Sequence, residues 1–563
     1  MKKSRIIIAI LLLLIIIFIF FCFKNKDNNK EYSKEEVIIS KESMATKEDT
    51  LSITMKTKKG YKIYYTLDGS IPDKKSKRYR RSIKLDKYST PDNLATKENA
   101  EKIFGDEIHT DKNLPRAVVL RAVSIAPNGT KGEVITRTYF IGLDLEKHFK
   151  KATIISIVTD PDNLLDYEKG IMVKGKIYDE WLKNPESETI LFNPYKHYLI
   201  EGNYTQKGKE WEREAVIECF DGTNKLTWSK NGGIRLKGNL SRNFSQKSFN
   251  IYFRKDYGDK SLEYDLFANN LDKNNKEIKE YKSISLRNGG NDKYLKFKDQ
   301  LLQDLVKERK VDTQAGKMAI LFLNGEYWGI YVLQEKYSDD YYKSHYNIDK
   351  DNIIVIKEDE VDEGKDEDIK LYEELMEYTK KDLSNSKIYN EFTKKVDIQS
   401  MIDYYAIEIY IANSDWGIDN QDKRTKNTQL WRVRKTSDKK YEDGKWRWSL
   451  YDLEYSSSMY NQNTTSYDYN SIEMAMKNQP LFASAMKNNE FRNQFYNTLK
   501  DIGKNYYSGD NINKKIDEYY NEWEEYYYNN DKRFSNYSTD RSYSIIKIKE
   551  YFDKRYDYIT KVG

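Results

Sequence analysis

The hydrophobic pattern divides the chain into stretches of different character. Ile6 to Phe23 is a run of eighteen residues without a charge, at the short end of what spans a bilayer. Residues 24–44 are charged and asparagine-rich and read as a tether. From 45 to 143 short alternating runs take over. Lys62 to Leu67 leads into the turn Asp68-Gly69-Ser70, and Ala117 to Val123 is followed by Pro127-Asn128-Gly129 and then Val134 to Phe140. Strands at this spacing predict a small β-sandwich. Residues 144–500 mix strands with amphipathic helices, so the class is α+β. From about 510 onward the periodicity is helical, and Tyr519-Tyr520 with Tyr526-Tyr527-Tyr528 reads as a helix face packing on the core. The expected organisation is an anchor at 1–23, a linker at 24–44, the sandwich at 45–143, and one α+β domain with C-terminal helices at 144–563.

The flanks of the first run refine its role. Lys2, Lys3 and Arg5 precede it, and it ends Phe20-Phe21-Cys22-Phe23 with no small residues before Cys22. That pattern favours an uncleaved anchor over a signal peptide or a lipoprotein site, with the N-terminal stub cytoplasmic and the bulk extracytoplasmic.

Composition narrows the chemistry. Lys and Arg number 96 against 90 Asp and Glu, a net of +6 over 563 residues, which is no footprint for nucleic acid. The 48 Tyr and 9 Trp supply a core despite 33% charged residues. Of two cysteines, Cys22 lies in the apolar run and only Cys219 remains, so a disulfide framework and thiolate zinc sites are excluded. The four histidines have no metal-ligand spacing, so any metal is a hard cation bound through oxygen. Phosphate-binding Gly-x-x-x-x-Gly-Lys-Ser/Thr, Gly-x-Ser-x-Gly and His-Glu-x-x-His are all absent.

Four segments place acids, amides and lysines at element ends. In Gly232 to Phe253, a hairpin with a polar loop, Lys247 shares a face with Phe249, Ile251 and Phe253. A lysine there needs an anion, phosphate or carboxylate, unless its ammonium reaches water at the strand end. Asn324-Gly325 is a tight-turn signal. The strand after it carries Glu335 on the face of Tyr331 and Leu333, where a cation such as Lys247 would partner it; a Lys–Glu pair of this kind holds ATP phosphates in kinases. A helix from Ile398 to Ile411 leads to Asn413-Ser414-Asp415-Trp416, and Asn420 follows Asp415 by five residues, the separation of a kinase base and its metal-binding Asn. Asp452 ends the row Trp446, Trp448, Leu450, where Mg²⁺ or a turn-capping role would account for it.

Taken in order, these segments resemble the spore coat protein H (CotH) kinase family over roughly 145–560. The resemblance rests on Arg235-x-x-Gly238-Asn239-x-Ser241 with Lys247-Ser248, Leu286-Arg287-Asn288-Gly289-Gly290-Asn291-Asp292, Asn324-Gly325-x-Tyr327-x-Gly329-x-Tyr331 with Glu335, Asn413-x-Asp415-Trp416, and Lys445-Trp446 leading to Asp452-Leu453. It implies an atypical protein kinase that transfers phosphate from ATP to Ser/Thr of coat or cell-surface proteins. Lys247, Arg235, Ser241 and Glu335 would then bind nucleotide, and Asp415 would be the base, with Lys247 sharing the catalytic role. Asp452 with Asn420 or Asn427 would bind Mg²⁺ or Mn²⁺. The family's Trp-Asp-Leu-Asp is Tyr451-Asp452-Leu453-Glu454 here, and the basic insertion Asp422 to Lys426 separates the two asparagines. The run Tyr64-Tyr65-Thr66-Leu67-Asp68-Gly69-Ser70 before Pro72 resembles the small C-terminal domain of chitobiases and β-hexosaminidases. That resemblance makes wall glycan a candidate ligand beside a spacer role. The expected setting is a membrane reached through residues 6–23, with spore-coat association as a second setting. The alternative function is a non-catalytic, membrane-anchored scaffold or glycan-binding protein for coat or wall assembly. A glycosidase is a third reading, for which no carboxylate pair stands out.

Overall fold

Alternation of apolar and polar side chains builds both compact units of this chain. The computed structural model describes residues 32–91, 94, 97, 108–150, 152–418, 425–535 and 537–562. One unit comprises residues up to 91 with 116–148 and 224–226, and the other comprises 92–115, 149–223 and 227–563.

The first unit is β-rich. Its five-stranded sheet includes Lys62–Thr66, Val118–Ile125 and Ile135–Ile141, and two two-stranded ladders accompany it. Ile53, Met55, Ile63, Leu85, Val118, Leu120 and Tyr139 share one core. That core also takes in Val37 and Ile39, and Ile38–Ile39 pairs with Met55–Lys56. The expected tether therefore reaches too far: apolar residues from Val37 on already belong to the domain. Among the described residues no helix is long and apolar enough to cross a membrane. Ile6 to Phe23 lies outside the described residues.

The second unit is α+β and centres on a closed barrel. Its strands are β1 (Thr153–Val158), β2 (Arg213–Asp221), β3 (Trp228–Lys237), β4 (Ser248–Tyr252), β5 (Ser283–Arg287), β6 (Gly316–Leu323) and β7 (Glu326–Glu335). They close in the order β1-β2-β3-β4-β5-β7-β6, and only the β1–β6 pair is parallel. Asn324 and Gly325 make the β6–β7 turn with φ of 46° and 85°, as an Asn-Gly hairpin requires. Register fixes two rows. Ile234, Leu236, Phe249, Ile251, Ile284, Leu286 and Leu333 face the core. Arg235, Lys237, Ser248, Asn250, Ser285, Arg287 and Gln334 form the opposite row.

A second sheet runs β9-β8-β10-β11, from β8 (Ile353–Lys357), β9 (Glu360–Glu363), β10 (Gln429–Val433) and β11 (Arg447–Trp448). Four helices frame the site: α1 (Lys298–Val306), α2 (Ile398–Tyr410), α3 (Gly509–Arg533) and α4 (Ser538–Val562). Helix α2 starts where Asp397 accepts the Ser400 amide and is buried from Ser400 to Tyr410, in keeping with its predominantly apolar sequence. On α3, Trp523, Tyr526 and Tyr527 are buried, and the last two donate their hydroxyls to the carbonyls of Phe149 (2.6 Å) and Leu295 (2.5 Å). Of the tyrosine cluster, Tyr526 and Tyr527 are thus core, Tyr519 and Tyr520 are half-buried, and Tyr528 is 65% exposed.

Candidate active site

The polar row of the barrel is covered as well, with Ser248, Ser285, Arg287 and Gln334 buried and Arg235, Lys237 and Asn250 half-buried, and that sets the site's electrostatics. Lys237 ends β3 opposite Ser248 and donates to the Gln334 side chain at 3.4 Å. Burial, then the charge of Arg287, pushes its amine down to about 7, against support from Asp299 and Asp452. Further cations gather nearby. Burial pushes Arg242 down to about 10 and lowers Lys207, which also feels Arg242 and Lys357. Burial opposes the charge of Lys357, but Tyr451, Asp362 and Glu358 outweigh it, and its Nζ lies 4.2 Å from the centre of the Tyr451 ring. Lys237 and Arg242, whose charge burial opposes, favour an anion beside them.

Arg287, at the end of β5, gathers the acids. One guanidinium nitrogen donates to Asp299 of α1 at 2.5 Å, and the other donates to Asp452 and Glu454. Three carboxyls share this one guanidinium. Burial and the neighbouring Asp452 charge push Glu454 well up, while Arg287, Lys237 and Lys357 overcome burial to keep Asp452 ionised. Asp452 is the accessible member, with its side chain 30% exposed against 7% for Asp299 and 3% for Glu454. Its φ of 63° is left-handed, a strained conformation for a residue other than glycine. Lys298 of α1 secures the next turn by donating to the carbonyls of Ser456 and Ser457.

Asn413 joins this acid to the loop after α2. Its side-chain oxygen accepts the Asp415 amide at 3.2 Å, and its nitrogen donates to the Glu408 carboxyl at 2.9 Å and the Asp452 carbonyl at 3.4 Å. Asn427, at φ 51°, donates its side-chain nitrogen to the Asp415 carbonyl at 2.7 Å and its carboxylate at 3.3 Å. Asp415, Asn427 and Asp452, far apart in sequence, thus converge, while Asn420 lies outside the described residues.

Two expected contacts are not formed. Lys247 is buried on the core-facing row, with its ammonium on the Phe244 carbonyl at 3.0 Å and 5.5 Å from the centre of the Tyr204 ring. Glu335 instead binds Asn270, the Ala315 amide and His345 at 2.8–3.0 Å. Strand parity separates both from Asp452, because Lys247 and Glu335 follow the inner row and Arg287 and Lys237 the outer one. The lysine beside Asp452 is Lys237. Arg235 pairs with Glu212 at 3.3 Å and stacks 4.0 Å from the centre of the Tyr252 ring. Ser241 lies in the turn 240–243 with its hydroxyl over Gly238. Lys237, Arg287, Asp299, Lys357 and Glu408 carried no role in the sequence reading. The available signal was that Lys237 and Arg287 each end a strand next to a core leucine.

The donor set fits a polyphosphate with a hard divalent cation. Lys237, Lys357, Arg242 and Lys207 supply cations, and Asp452, Asp415 and the Asn427 side-chain oxygen supply hard ligands. Among the described residues no three His, Cys, Asp or Glu side chains group as a metal site by themselves.

Gly290 tests the acid cluster. At φ 58°, a Cβ on it would lie 2.0 Å from Glu454 Oε1. Gly290→Ala is expected to displace Glu454 and cost about 1–3 kcal/mol, read as a lower urea midpoint at unchanged slope.

A family model described as CotH kinase protein matches residues 234–559, and one described as Fn3 associated matches residues 51–139. No curated protein matches the chain. The first match encloses Lys237, Arg287, Asp415 and Asp452; the second covers the stretch that the sequence likened to the chitobiase C-terminal domain.

Proposed function

This chain belongs to the CotH kinase family, and from that premise we propose that it transfers the γ-phosphoryl group of ATP to a Ser or Thr hydroxyl of an extracytoplasmic or coat protein. The observation that carries the proposal is a lysine amine that burial pushes down to about 7, within electrostatic reach of the one accessible carboxylate of a three-acid cluster.

Lys237 binds phosphate oxygens and becomes fully charged as it does so, with Lys357 and Arg242 adding positive potential. Asp415 accepts the hydrogen of the acceptor hydroxyl. The hydroxyl oxygen forms a bond to the γ-phosphorus, the bond to the bridging oxygen breaks, and ADP departs. Asn413 and Asn427 hold Asp415 in place, and Arg287 positions Asp452. Asp452 and Asn427 would hold Mg²⁺ or Mn²⁺, which when bound neutralises phosphate charge. Positioning and charge neutralisation suffice for phosphoryl transfer, in keeping with a site that has no cysteine or histidine nucleophile.

The proposal is tested with ATP labelled at the γ- or the α-phosphate. Only the γ-label should reach protein, and Asp415→Asn should slow transfer by roughly 10²–10⁴-fold, the usual worth of a general base. Transfer of the α-label would replace phosphorylation with nucleotidyl transfer.

One observation favours the second reading, a scaffold with an inactive kinase fold. Arg287 already satisfies all three acids. A thermal shift separates the two readings: ligand at 100 times its dissociation constant adds about 2.7 kcal/mol, and no shift with millimolar Mg-ATP would support the scaffold.

A further inference from the structure

The β-rich unit carries a charge that the site does not use. Its residues 32–91, 116–148 and 224–226 hold 21 Lys and Arg against 11 Asp and Glu, so 21 − 11 = +10, more than the +6 of the whole chain. The excess is concentrated. Eight of the fourteen residues from Lys74 to Lys87 are Lys or Arg, with Asp86 the one acid among them. All eight are exposed, and among the described residues none of them forms an ion pair.

The fold explains why they stand together. Lys77–Arg78 is the outermost strand of the five-stranded sheet and pairs with Tyr64–Tyr65. The chain then crosses to the ladder at Ile83–Leu85, where Ile83 and Leu85 pack inward and Lys84 points away. Charge on an edge strand guards against strand pairing, but one or two lysines serve that purpose. Eight uncompensated cations repel one another, and an anionic partner relieves that repulsion.

Two exposed apolar side chains bracket the stretch and narrow the partner. Ile71 is 50% exposed and Tyr88 52%. The Tyr88 ring has Lys87 and Arg116 each 5.1 Å from its centre. Cations flanked by an exposed aliphatic and a tyrosine match a membrane interface, where basic side chains meet anionic headgroups and amphipathic rings sit at headgroup depth. A soluble polyanion would use the cations and leave Ile71 idle. The thirteen residues from Lys24 to Glu36 span at most roughly 45 Å, so an anchor at residues 6–23 would keep this edge near the bilayer.

We propose that the edge from Ile71 to Tyr88 docks on an anionic phospholipid surface. The experiment uses the full chain with an environment-sensitive dye on Ser82→Cys, in a Cys22→Ser background that leaves only the buried Cys219. The chain is mixed with nanodiscs of phosphatidylcholine alone or with added phosphatidylglycerol. The expected result is a blue-shifted emission with phosphatidylglycerol only. It should disappear near 1 M salt, where the Debye length is about 3 Å. Exchanging Lys77, Arg78, Arg80 and Arg81 for Gln should raise the lipid concentration at half-shift at least tenfold, and exchanging them for Glu should abolish the shift. The same emission in both lipids would overturn the proposal. So would a response to soluble polyglycerol phosphate with none to phosphatidylglycerol, which would assign the edge to an anionic wall polymer.

Discussion

Replacing Asp452 by asparagine is expected to stop phosphoryl transfer while leaving the fold intact. The substitution keeps the side chain's shape and removes its charge. Arg287 retains Asp299 at 2.5 Å and Glu454 as partners, so the buried guanidinium is not left uncompensated, the outcome that makes single-partner deletions costly. The chemistry has no such reserve. Asp299 and Glu454 are enclosed, with side chains 7% and 3% exposed, and are turned to Arg287. Asp452 is the one acid of the three that can meet a cation arriving with the nucleotide. Losing several kcal/mol of charge stabilisation corresponds to a fall of roughly 10³-fold or more in rate. Labelled γ-phosphate transfer and a melting curve on the same preparation check this. Turnover within a few-fold of the parent would remove Asp452 from the site.

Lys237→Met should have the second largest effect, and the pH dependence identifies its cause. In the nucleotide-free protein the amine is pushed down to about 7 by burial and by Arg287. Above pH 7 it is therefore mostly neutral, and binding a triphosphate must bring a proton with it. Affinity for ATP should weaken as pH rises from 7 to 9, by up to about tenfold per pH unit until the amine's pKa in the complex is reached. Lys237→Arg keeps its charge throughout, so its affinity should be nearly flat over the same range. Lys237→Met should lose roughly 10²–10³-fold in transfer, the scale for removing one charge-stabilising donor. Calorimetric titration with ATP at several pH values reads the slope directly. A slope in Lys237→Arg equal to the parent's would place the titrating group elsewhere.

The sequence revealed much of this arrangement, and it failed at an identifiable step. Alternation correctly set Lys247 on the row of Phe249 and Ile251, and Glu335 on the row of Tyr331 and Leu333. No role was assigned to Lys237 and Arg287 on the other face. In a closed barrel whose outer row is covered as well, Arg287 is buried beside Leu286, and Lys237 is half-buried beside Leu236. Closure depends on the parallel pairing of β1 with β6, whose partners Thr153 and Ala319 are distant in sequence, and no local pattern encodes it. The Arg287 cluster was hidden for the same reason, since its partners lie 12, 165 and 167 residues away. Helix α2 and the Asn413–Asp415 loop were legible because a capped, predominantly apolar helix and its terminus are local features. The convergence of Asn427 on Asp415 required the hairpin between them to return the chain to its start, with Gly417 opposite Lys426. The start of the small domain was missed because Val37 and Ile39 sit in a stretch whose charged neighbours dominate its composition.

The central claim is that Lys237, on the outer row of the barrel, and Asp452, which follows β11, address one triphosphate. A crystal of the full chain soaked with a non-hydrolysable ATP analogue and Mg²⁺ tests it most directly. The account predicts phosphate density touching the Lys237 amine and metal density on Asp452. A nucleotide bound instead beside Lys247 and Tyr204, with Lys237 untouched, would contradict it.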